Sequence, residues 1–190
     1  MREYELRFRL TKNTENSVRK KMRKLGFRLE KKYAMSDIIF EDRNWRPGDK
    51  AGRGYYVIRI RFRKGHEPVV ELKEKLSADT WEETTFKTDD IRALIKMFNK
   101  GFTFSKIISK VREEHKMGNA LITIDDVKHL GKFIEIEAPR KEALPISKEL
   151  GFALGEKQKD YGYLIFQLMK DRKLLFTSAS ISQELSNFKS

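Results

Sequence analysis

The sequence predicts an α+β fold in which an antiparallel sheet of roughly eight strands packs with three or four helices. Three observations support this class. Short segments alternate strictly between apolar and charged residues, as strands with one buried face do. Turn residues rather than long crossovers separate most of these segments, which favours antiparallel neighbours. Two longer segments instead run from a capping residue to a glycine, and the second of them repeats apolar residues at helical spacing.

The first part of the chain is predicted to contain a strand, a helix and a second strand before a loop. Residues 2–10 alternate between apolar and charged side chains, so the chain opens as a strand. Asn13 or Thr14 can cap the helix that follows, and Gly26 can end it. Extended chain then leads to Phe40, and the Gly- and Pro-rich segment DRNWRPGDKAGRG is predicted to be a loop.

The middle of the chain adds strands joined by turns and one amphipathic helix. The strands are YYVIRIRFR, VVELKEKL and WEETTFKT, which alternate in the same way. Thr88 or Asp89 can cap the helix, which ends at Gly101. A hairpin then turns at residues 117–119, and KFIEIEAP supplies one more strand.

Two further helices are predicted near the carboxyl end. The first is short, with Pro145 in its first turn, and the second spans DYGYLIFQLMKDRKLL. We expect residues 1–175 to form one domain and residues 176–190 to be a polar tail.

Composition narrows the range of partners. The chain of 190 residues has 41 Lys and Arg against 28 Asp and Glu, a net charge of +13, which predicts polyanionic partners: nucleic acid, a membrane surface or phosphorylated small molecules. No apolar run is long enough to span a membrane and no secretory signal is recognisable, so we expect a cytoplasmic protein. The absence of cysteine excludes disulfides, thiolate zinc sites and a cysteine nucleophile.

Several strands carry acids and bases, rather than neutral polar residues, on their charged face. Any single row is best explained as a solvated face with cross-strand ion pairs. Such rows on many strands favour a sheet closed into a barrel, with a channel in which arginines bind phosphate and carboxylates bind Mg²⁺ or Mn²⁺. The rows comprise Glu3, Glu5, Arg7, Arg59, Arg61, Glu71, Lys73, Lys110, Arg112, Asp125, Glu135 and Glu137.

An ordered series of motifs resembles the CYTH superfamily, which includes class IV adenylate cyclases and thiamine triphosphatases. EYELR resembles the family's E-x-E-x-K signature, IRIR its paired arginines, and ELKEK its strand with a phosphate-contacting lysine. KVREEH is similar to the K-x-R-x-x-Y strand, and ITIDDVKHLGKFIEIE to a D-x-V-x-x-L-G-x-F-x-E-x-E stretch. MSDIIF and DYGYLI add weaker matches. Two positions depart from the pattern: Arg7 replaces the signature lysine, and Thr85 stands where a second glutamate is expected.

The resemblance implies an eight-stranded antiparallel tunnel, triphosphate substrates and a divalent metal, Mg²⁺ or Mn²⁺. It implies metal ligands at Glu5 and Glu137 first and at Glu3 and Glu135 next, whereas the alternative for these glutamates is a set of cross-strand salt bridges. Asp37 and Asp125 could each orient an arginine, and Asp125 could equally cap a turn. The phosphate-binding residues implied are Arg7, Arg59, Arg61, Lys73, Lys110 and Arg112. The catalytic residues implied are Glu5, Arg7, Lys73 and Glu137.

Three activities follow from these expectations. The resemblance favours an adenylate cyclase that converts ATP to cyclic AMP and pyrophosphate, with a triphosphatase acting on inorganic, thiamine or nucleoside triphosphate close behind. A noncatalytic binder of polyphosphate or nucleic acid is the third alternative, and nucleic acid is disfavoured because few aromatic residues interleave with the charged rows. His115 is expected to be a surface residue near the hairpin end. The oligomeric state stays open, with a homodimer as one alternative.

Overall fold

The computed structural model describes residues 2–42, 55–77, 80–88, 90–172 and 176–187. In this part of the chain, eight antiparallel strands form a curled sheet accompanied by five α-helices, so the predicted α+β class is confirmed. Closure of the sheet into a full barrel stays a prediction. The predicted loop at residues 42–54 lies, apart from Asp42, outside the described residues.

The strands are β1 (Arg2–Arg9), β2 (Arg28–Asp42), β3 (Tyr56–Arg63), β4 (Val69–Ser77), β5 (Thr80–Lys87), β6 (Phe102–Met117), β7 (Ala120–Val127) and β8 (Gly131–Glu137). The helices are α1 (Lys12–Leu25), α2 (Ile91–Gly101), α3 (Arg140–Leu150), α4 (Tyr161–Arg172) and α5 (Ser178–Asn187).

The described chain forms two compact units. Unit 1 contains Arg2 and the described residues of 34–109 and 161–187, and its strands follow the order β5-β4-β3-β2. Unit 2 contains residues 3–33 and 110–160, and its strands follow the order β6-β7-β8-β1. Both long strands, β2 and β6, contribute one part to each unit.

Each unit buries the apolar face of its strands in a core. In unit 2 the alternate residues Leu6 and Phe8 of β1 pack with apolar residues of β7, β8, α1 and α3, and Phe8 stacks on Phe152 with ring centroids 4.6 Å apart. In unit 1 residues such as Phe40 and Ile60 pack with Ile91 and Ile95 of α2. Because successive side chains of a strand point to opposite faces, these cores leave the charged rows together on the other face.

The caps of the first two helices lie at other residues than predicted. Thr11 caps α1, because its hydroxyl accepts from the Thr14 N–H at 3.3 Å while the Thr14 hydroxyl accepts from the Thr11 N–H at 3.0 Å. The predicted caps Asn13 and Thr14 are therefore wrong, whereas Gly26 ends the helix with a left-handed φ of 92° as expected.

Asp90 caps α2, since its carboxylate accepts from the Ala93 N–H at 2.9 Å, so the prediction of Thr88 is wrong. The other predicted cap, Asp89, lies outside the described residues. Pro145 lies in the second turn of α3 rather than the first, because that helix already begins at Arg140.

The region predicted as a polar tail contains a helix, α5. Ile181 is buried in the core of unit 1, and Phe176 packs against that core. Glu184 accepts hydrogen bonds from the hydroxyls of Ser36 and Ser109, the latter at 2.6 Å. Two apolar side chains and one carboxylate thus attach a segment whose composition is mostly polar.

Membrane crossing by a helix finds no support in the described residues. None of their helices combines the length and the hydropathy that a bilayer span requires.

Candidate active site

One face of unit 2 gathers charged side chains from β1, β6, β7 and β8. The register of β1 and β8 pairs Arg7 with Glu135, and it places Glu5 directly opposite Glu137. The first pair has opposite charges, whereas the second brings together two like charges, which is unfavourable between neighbouring strands. We name this group the acid-rich cluster; its members are Glu5, Arg7, Lys110, Arg112, Asp125, Glu135 and Glu137.

Arg7, at the position of the family's signature lysine, bridges two carboxylates. Its Nε donates to Glu135 Oε1 at 2.6 Å, and its Nη2 forms an ion pair with Glu5. Its Nη1 also donates to the backbone carbonyl of Lys159 at 2.9 Å. The fork of the guanidinium makes these three contacts at once, which the single ammonium group of a lysine could not reproduce with the same geometry.

Asp125 is fully buried and holds two cations of β6. Arg112 donates to its two carboxylate oxygens from Nε and Nη2, both at 2.7 Å, and Lys110 Nζ donates at 2.7 Å. Arg112 also donates to Glu135, which accepts from the Thr123 hydroxyl at 3.2 Å as well. Of the two alternatives for Asp125, the structure therefore shows the one in which it orients an arginine.

The buried carboxylates of this cluster are ionised because of their neighbours. Burial alone would raise the pKa of Glu135, but the charges of Arg7, Arg112 and Lys110 hold it well below its usual range. Burial likewise opposes ionisation of Asp125, and Lys110 with Arg112 lowers its pKa. Both groups are thus negative at neutral pH.

Three carboxylates of the acid-rich cluster could hold a metal ion. Glu5, Glu135 and Glu137 each offer an oxygen, and these ligand atoms lie within 4.8 Å of one another. Oxygen donors of this type suit a hard divalent cation such as Mg²⁺ or Mn²⁺, so the residues fit the predicted metal. The side chain of Glu3, the fourth predicted ligand, lies outside the described part of the chain.

Unit 1 carries a second group of charges, on β2, β3, β4 and β5. The strand register pairs Asp37 with Arg61, Arg59 with Glu71, and Lys73 with Glu83, so every direct pair has opposite charges. We name this group the balanced cluster; its members are Asp37, Arg59, Arg61, Glu71, Lys73 and Glu83.

Arg61 bonds two carboxylates of the balanced cluster. It donates to both oxygens of Asp37, at 2.8 and 3.0 Å, and to Glu71 at 3.1 Å. Arg59 forms an ion pair with Glu71 and reaches Glu83 at 3.4 Å. Burial opposes ionisation of Glu83, but Lys73 and Arg59 lower its pKa.

The sequence interpretation missed one buried ion pair of unit 1. Lys106 Nζ donates to Glu41 at 2.8 Å, both side chains are buried, and the Tyr55 hydroxyl donates to the same carboxylate at 3.1 Å. The signal was present, since Lys106 lies an even number of residues from Lys110 and Arg112 and therefore shares their face of β6.

His115 was expected to be a surface residue rather than a catalyst, and it is more buried than that expectation implies. Its side chain is 12% exposed and lies on the opposite face of β6 from Arg112. It therefore belongs to the side of the strand that packs against α1, away from the acid-rich cluster.

The arrangement of strands and charges agrees with comparisons against known proteins. The CYTH domain family matches residues 1–157, which is most of the chain. The chain is 34% identical over 138 residues to "Putative adenylate cyclase MJ0240" of Methanocaldococcus jannaschii, an alignment that covers 70% of this chain and 75% of the relative. The protein belongs to the CYTH domain family.

Solved structures share the fold at low sequence identity. The PH1012 protein of Pyrococcus horikoshii superposes with a TM-score of 0.72 at 22% identity, covering 85% of this chain and 98% of that one. A putative adenylate cyclase of Vibrio parahaemolyticus gives 0.68 at 16% identity, covering 86% and 97%. HpAC1 of Hippeastrum, described as a putative adenylyl cyclase with a dominant triphosphatase activity, gives 0.57 at 18% identity, covering 92% and 97%.

Proposed function

We propose that this protein is a metal-dependent enzyme acting on triphosphates, and that it converts ATP to cyclic AMP and pyrophosphate. The observation that carries the proposal is the triad of Glu5, Glu135 and Glu137, whose oxygens converge within 4.8 Å beside buried cations. Membership of the CYTH family and the name of the Methanocaldococcus relative support the choice of reaction.

In this proposal Glu5, Glu135 and Glu137 hold Mg²⁺ or Mn²⁺, and Glu3 is a further ligand. The bound ion would position the nucleophile and neutralise charge on the substrate's phosphate oxygens. Its positive charge would also relieve the repulsion between Glu5 and Glu137, which face each other across two strands. The metal would thus offset a repulsion that Arg7 and Arg112, the cationic neighbours of these glutamates, already reduce in part.

The cations are proposed to bind and orient the phosphate groups: Arg7, Arg59, Arg61, Lys73, Lys110 and Arg112. Arg112 illustrates how, because its Nη1 lies 4.0 Å from Glu137 while its other nitrogens are anchored on Asp125 and Glu135. A guanidinium fixed on one side can present its remaining donors to a phosphate without losing its orientation. Arg7 acts in the same way and not as a proton acceptor, since arginine stays protonated.

A triphosphatase is the second candidate. The Hippeastrum neighbour, which shares this fold, is described as having dominant triphosphatase activity. The two reactions differ in which phosphorus is attacked: the α-phosphorus by the ribose hydroxyl in the cyclase, or the terminal phosphorus by water in the hydrolase. The same residues could serve either reaction, so the products distinguish them.

A product assay tests the proposal. ATP, tripolyphosphate and thiamine triphosphate are incubated separately with the protein and either Mg²⁺ or Mn²⁺. Cyclic AMP with equimolar pyrophosphate supports the cyclase, and orthophosphate from any substrate supports the triphosphatase. Absence of turnover with all three substrates, together with metal-independent and steeply salt-dependent binding of mixed oligonucleotides, would favour the noncatalytic binder instead.

Closure of the eight strands into a barrel and a cytoplasmic location belong to the same proposal. The support for closure is the family match and the continuous order of antiparallel strands within each unit. A hydrogen-exchange experiment on the strands β1 and β5 would report closure, because paired edge amides exchange slowly.

A further inference from the structure

Unit 2 contains a cavity of about 410 Å³ that is separate from the acid-rich cluster. It lies between the second half of α1, the segment that enters β2, and the end of β6. His115 lines it, and His115 points to the opposite face of β6 from Arg112. The cavity therefore belongs to the helix-covered side of the sheet.

The lining combines an apolar wall with cations. Met22 and Phe27 are almost fully buried and form the wall, whereas Leu29 is 56% exposed. An exposed leucine beside a cavity leaves apolar surface in contact with water, and an apolar ligand would remove it. Arg23 and Arg28 add two guanidinium groups to the lining.

These two arginines differ from the third arginine of the cavity. Arg19 is held by Glu15 at 3.0 Å and by Glu113 at 2.6 Å. Arg23 and Arg28 are exposed, and among the described residues neither has a side-chain hydrogen bond or an ion pair. The solvent-exposed rim of the cavity therefore carries two positive charges that no carboxylate of the described residues pairs with.

His115 adds a shielded polar atom with no partner. Its Nε2 is buried and has no hydrogen bond among the described residues, since the nearest carboxylate oxygen, of Glu113, lies 3.6 Å away. Burial lowers the pKa of His115, although Glu113 opposes this, so the ring is neutral at neutral pH. A buried polar atom of this kind calls for a partner that the protein itself does not supply.

We propose that this cavity binds a small amphipathic anion, with an apolar or aromatic body against Met22, Phe27 and Leu29 and an acidic group at Arg23 and Arg28. Its volume lies in the range of about 300–1,000 Å³ typical of small-molecule sites. A bare inorganic anion would leave the apolar wall wet, and a neutral apolar molecule would gain nothing from the two exposed guanidinium groups at the rim. A ligand with an apolar body and an acidic group would contact both the apolar wall and the two arginines.

Anilinonaphthalene sulfonate and decanoate serve as probes of the folded protein. An excess of tripolyphosphate is added to occupy the proposed triphosphate site, so that the probes do not bind there. We expect saturable binding, with amide shift changes in two-dimensional NMR confined to residues 19–29 and 115. Replacing Arg28 by Gln should weaken both probes about tenfold, a loss of one charged contact. Leu29→Ser should weaken them by a similar factor through lost apolar contact.

Lys31→Gln is the matched control, because it removes the same charge from an exposed β2 residue that does not line the cavity. Equal weakening by Arg28→Gln and Lys31→Gln would overturn the proposal, as would equal affinity for decanol or inorganic phosphate. Triphosphate turnover by Arg28→Gln should stay at the level of the unaltered protein. A loss of turnover with retained probe binding would count against the proposed independence of the two sites.

Discussion

The acid-rich cluster of unit 2 and the balanced cluster of unit 1 are both built from charged residues on antiparallel strands, but they differ in charge balance. Both place alternating charged residues of antiparallel strands on one face. In the balanced cluster three carboxylates face three cations, and all direct cross-strand pairs are of opposite sign. In the acid-rich cluster four carboxylates accompany three cations, and Glu5 faces Glu137.

The two clusters thus contrast ion pairs that stabilise the fold with a pair of like charges that suggests a binding site. Opposite charges paired in register are explained by the protein alone, because each partner satisfies the other. Two glutamates directly opposite each other repel, and although Arg7 pairs with Glu5 and Arg112 Nη1 lies 4.0 Å from Glu137, the cluster still holds one carboxylate more than it has cations. The excess carboxylate therefore points to the acid-rich cluster as the metal centre and leaves phosphate binding as the proposed task of both clusters.

The largest expected effect is the loss of a buried cation. Arg112→Met should destabilise the protein by about 3 kcal/mol, because Asp125 and Glu135 each lose one buried cation, although Lys110 still contacts Asp125 and Arg7 still contacts Glu135. Denaturant unfolding at neutral pH measures this. The cost should shrink as the pH falls and the two carboxylates bind protons. Lys87→Met, which breaks an exposed pair with Glu67, is the control and should leave the midpoint unchanged.

The next largest effect concerns Glu137, where a substitution should change turnover but not thermal stability. Glu137→Gln should lower metal-dependent turnover at least about 100-fold, or about 2.7 kcal/mol, because a ligand is lost. Without metal its melting temperature should not fall, since repulsion with Glu5 is relieved. Glu5→Gln should behave alike.

The control for Glu137 is Glu74→Gln. Glu74 faces Glu82 across β4 and β5, another pair of like charges, but both residues are exposed and solvent screens them. Glu74→Gln should retain full turnover and the stabilisation that Mg²⁺ or Mn²⁺ confers. If Glu137→Gln also retained both, its assignment as a ligand would be wrong.

A smaller effect tests whether α5 supports unit 1. Glu184→Ala leaves the hydroxyls of Ser36 and Ser109 without their carboxylate, which should cost about 1–3 kcal/mol. Hydrogen exchange should show faster opening of β2 near Ser36 and of β6 near Ser109. Gln183→Ala, at the exposed neighbouring position, is the control and should change neither. An unchanged exchange pattern in Glu184→Ala would show that the hydrogen bonds of Glu184 do not stabilise unit 1.

The smallest and most gradual effect is the response of unit 2 to acid. Burial opposes ionisation of Glu113, but Arg19 and Lys32 lower its pKa to about 2, and the pKa values of Asp125 and Glu135 are lowered too. A depressed pKa stabilises the fold above the ordinary value of the group, and this stabilisation is lost as the pH falls towards the folded value.

Amide exchange as a function of pH measures this response. Protection in unit 2 should decline progressively below about pH 4.5, near the value of an unperturbed glutamate. Glu113→Gln should make the decline shallower, since one proton-linked group is removed. An acid response unaffected by that substitution would contradict the assignment of Glu113.

Local patterning predicted much of the fold and of the candidate site. Strict alternation identified the strands and placed Glu5, Arg7, Arg59, Arg61, Lys110 and Arg112 on charged faces, because side-chain direction in a strand follows parity alone. The glycine at residue 26 ended α1 as predicted, because only its backbone conformation matters there. Helix starts were less accurate, since Thr11, Asn13 and Thr14 all have suitable hydroxyl or amide side chains and local sequence does not choose among them.

The tertiary structure alone decided which charges meet. Partners across strands depend on register, and a slip of one residue would exchange the two faces of a strand. Hence the sequence determined that β1 and β8 carry acids and bases, but only the pairing of these strands brought Glu5 opposite Glu137 and gave Arg7 its two carboxylates. The burial of Ile181 and the cavity beside His115 were decided in the same way, because both depend on contacts between residues far apart in the chain.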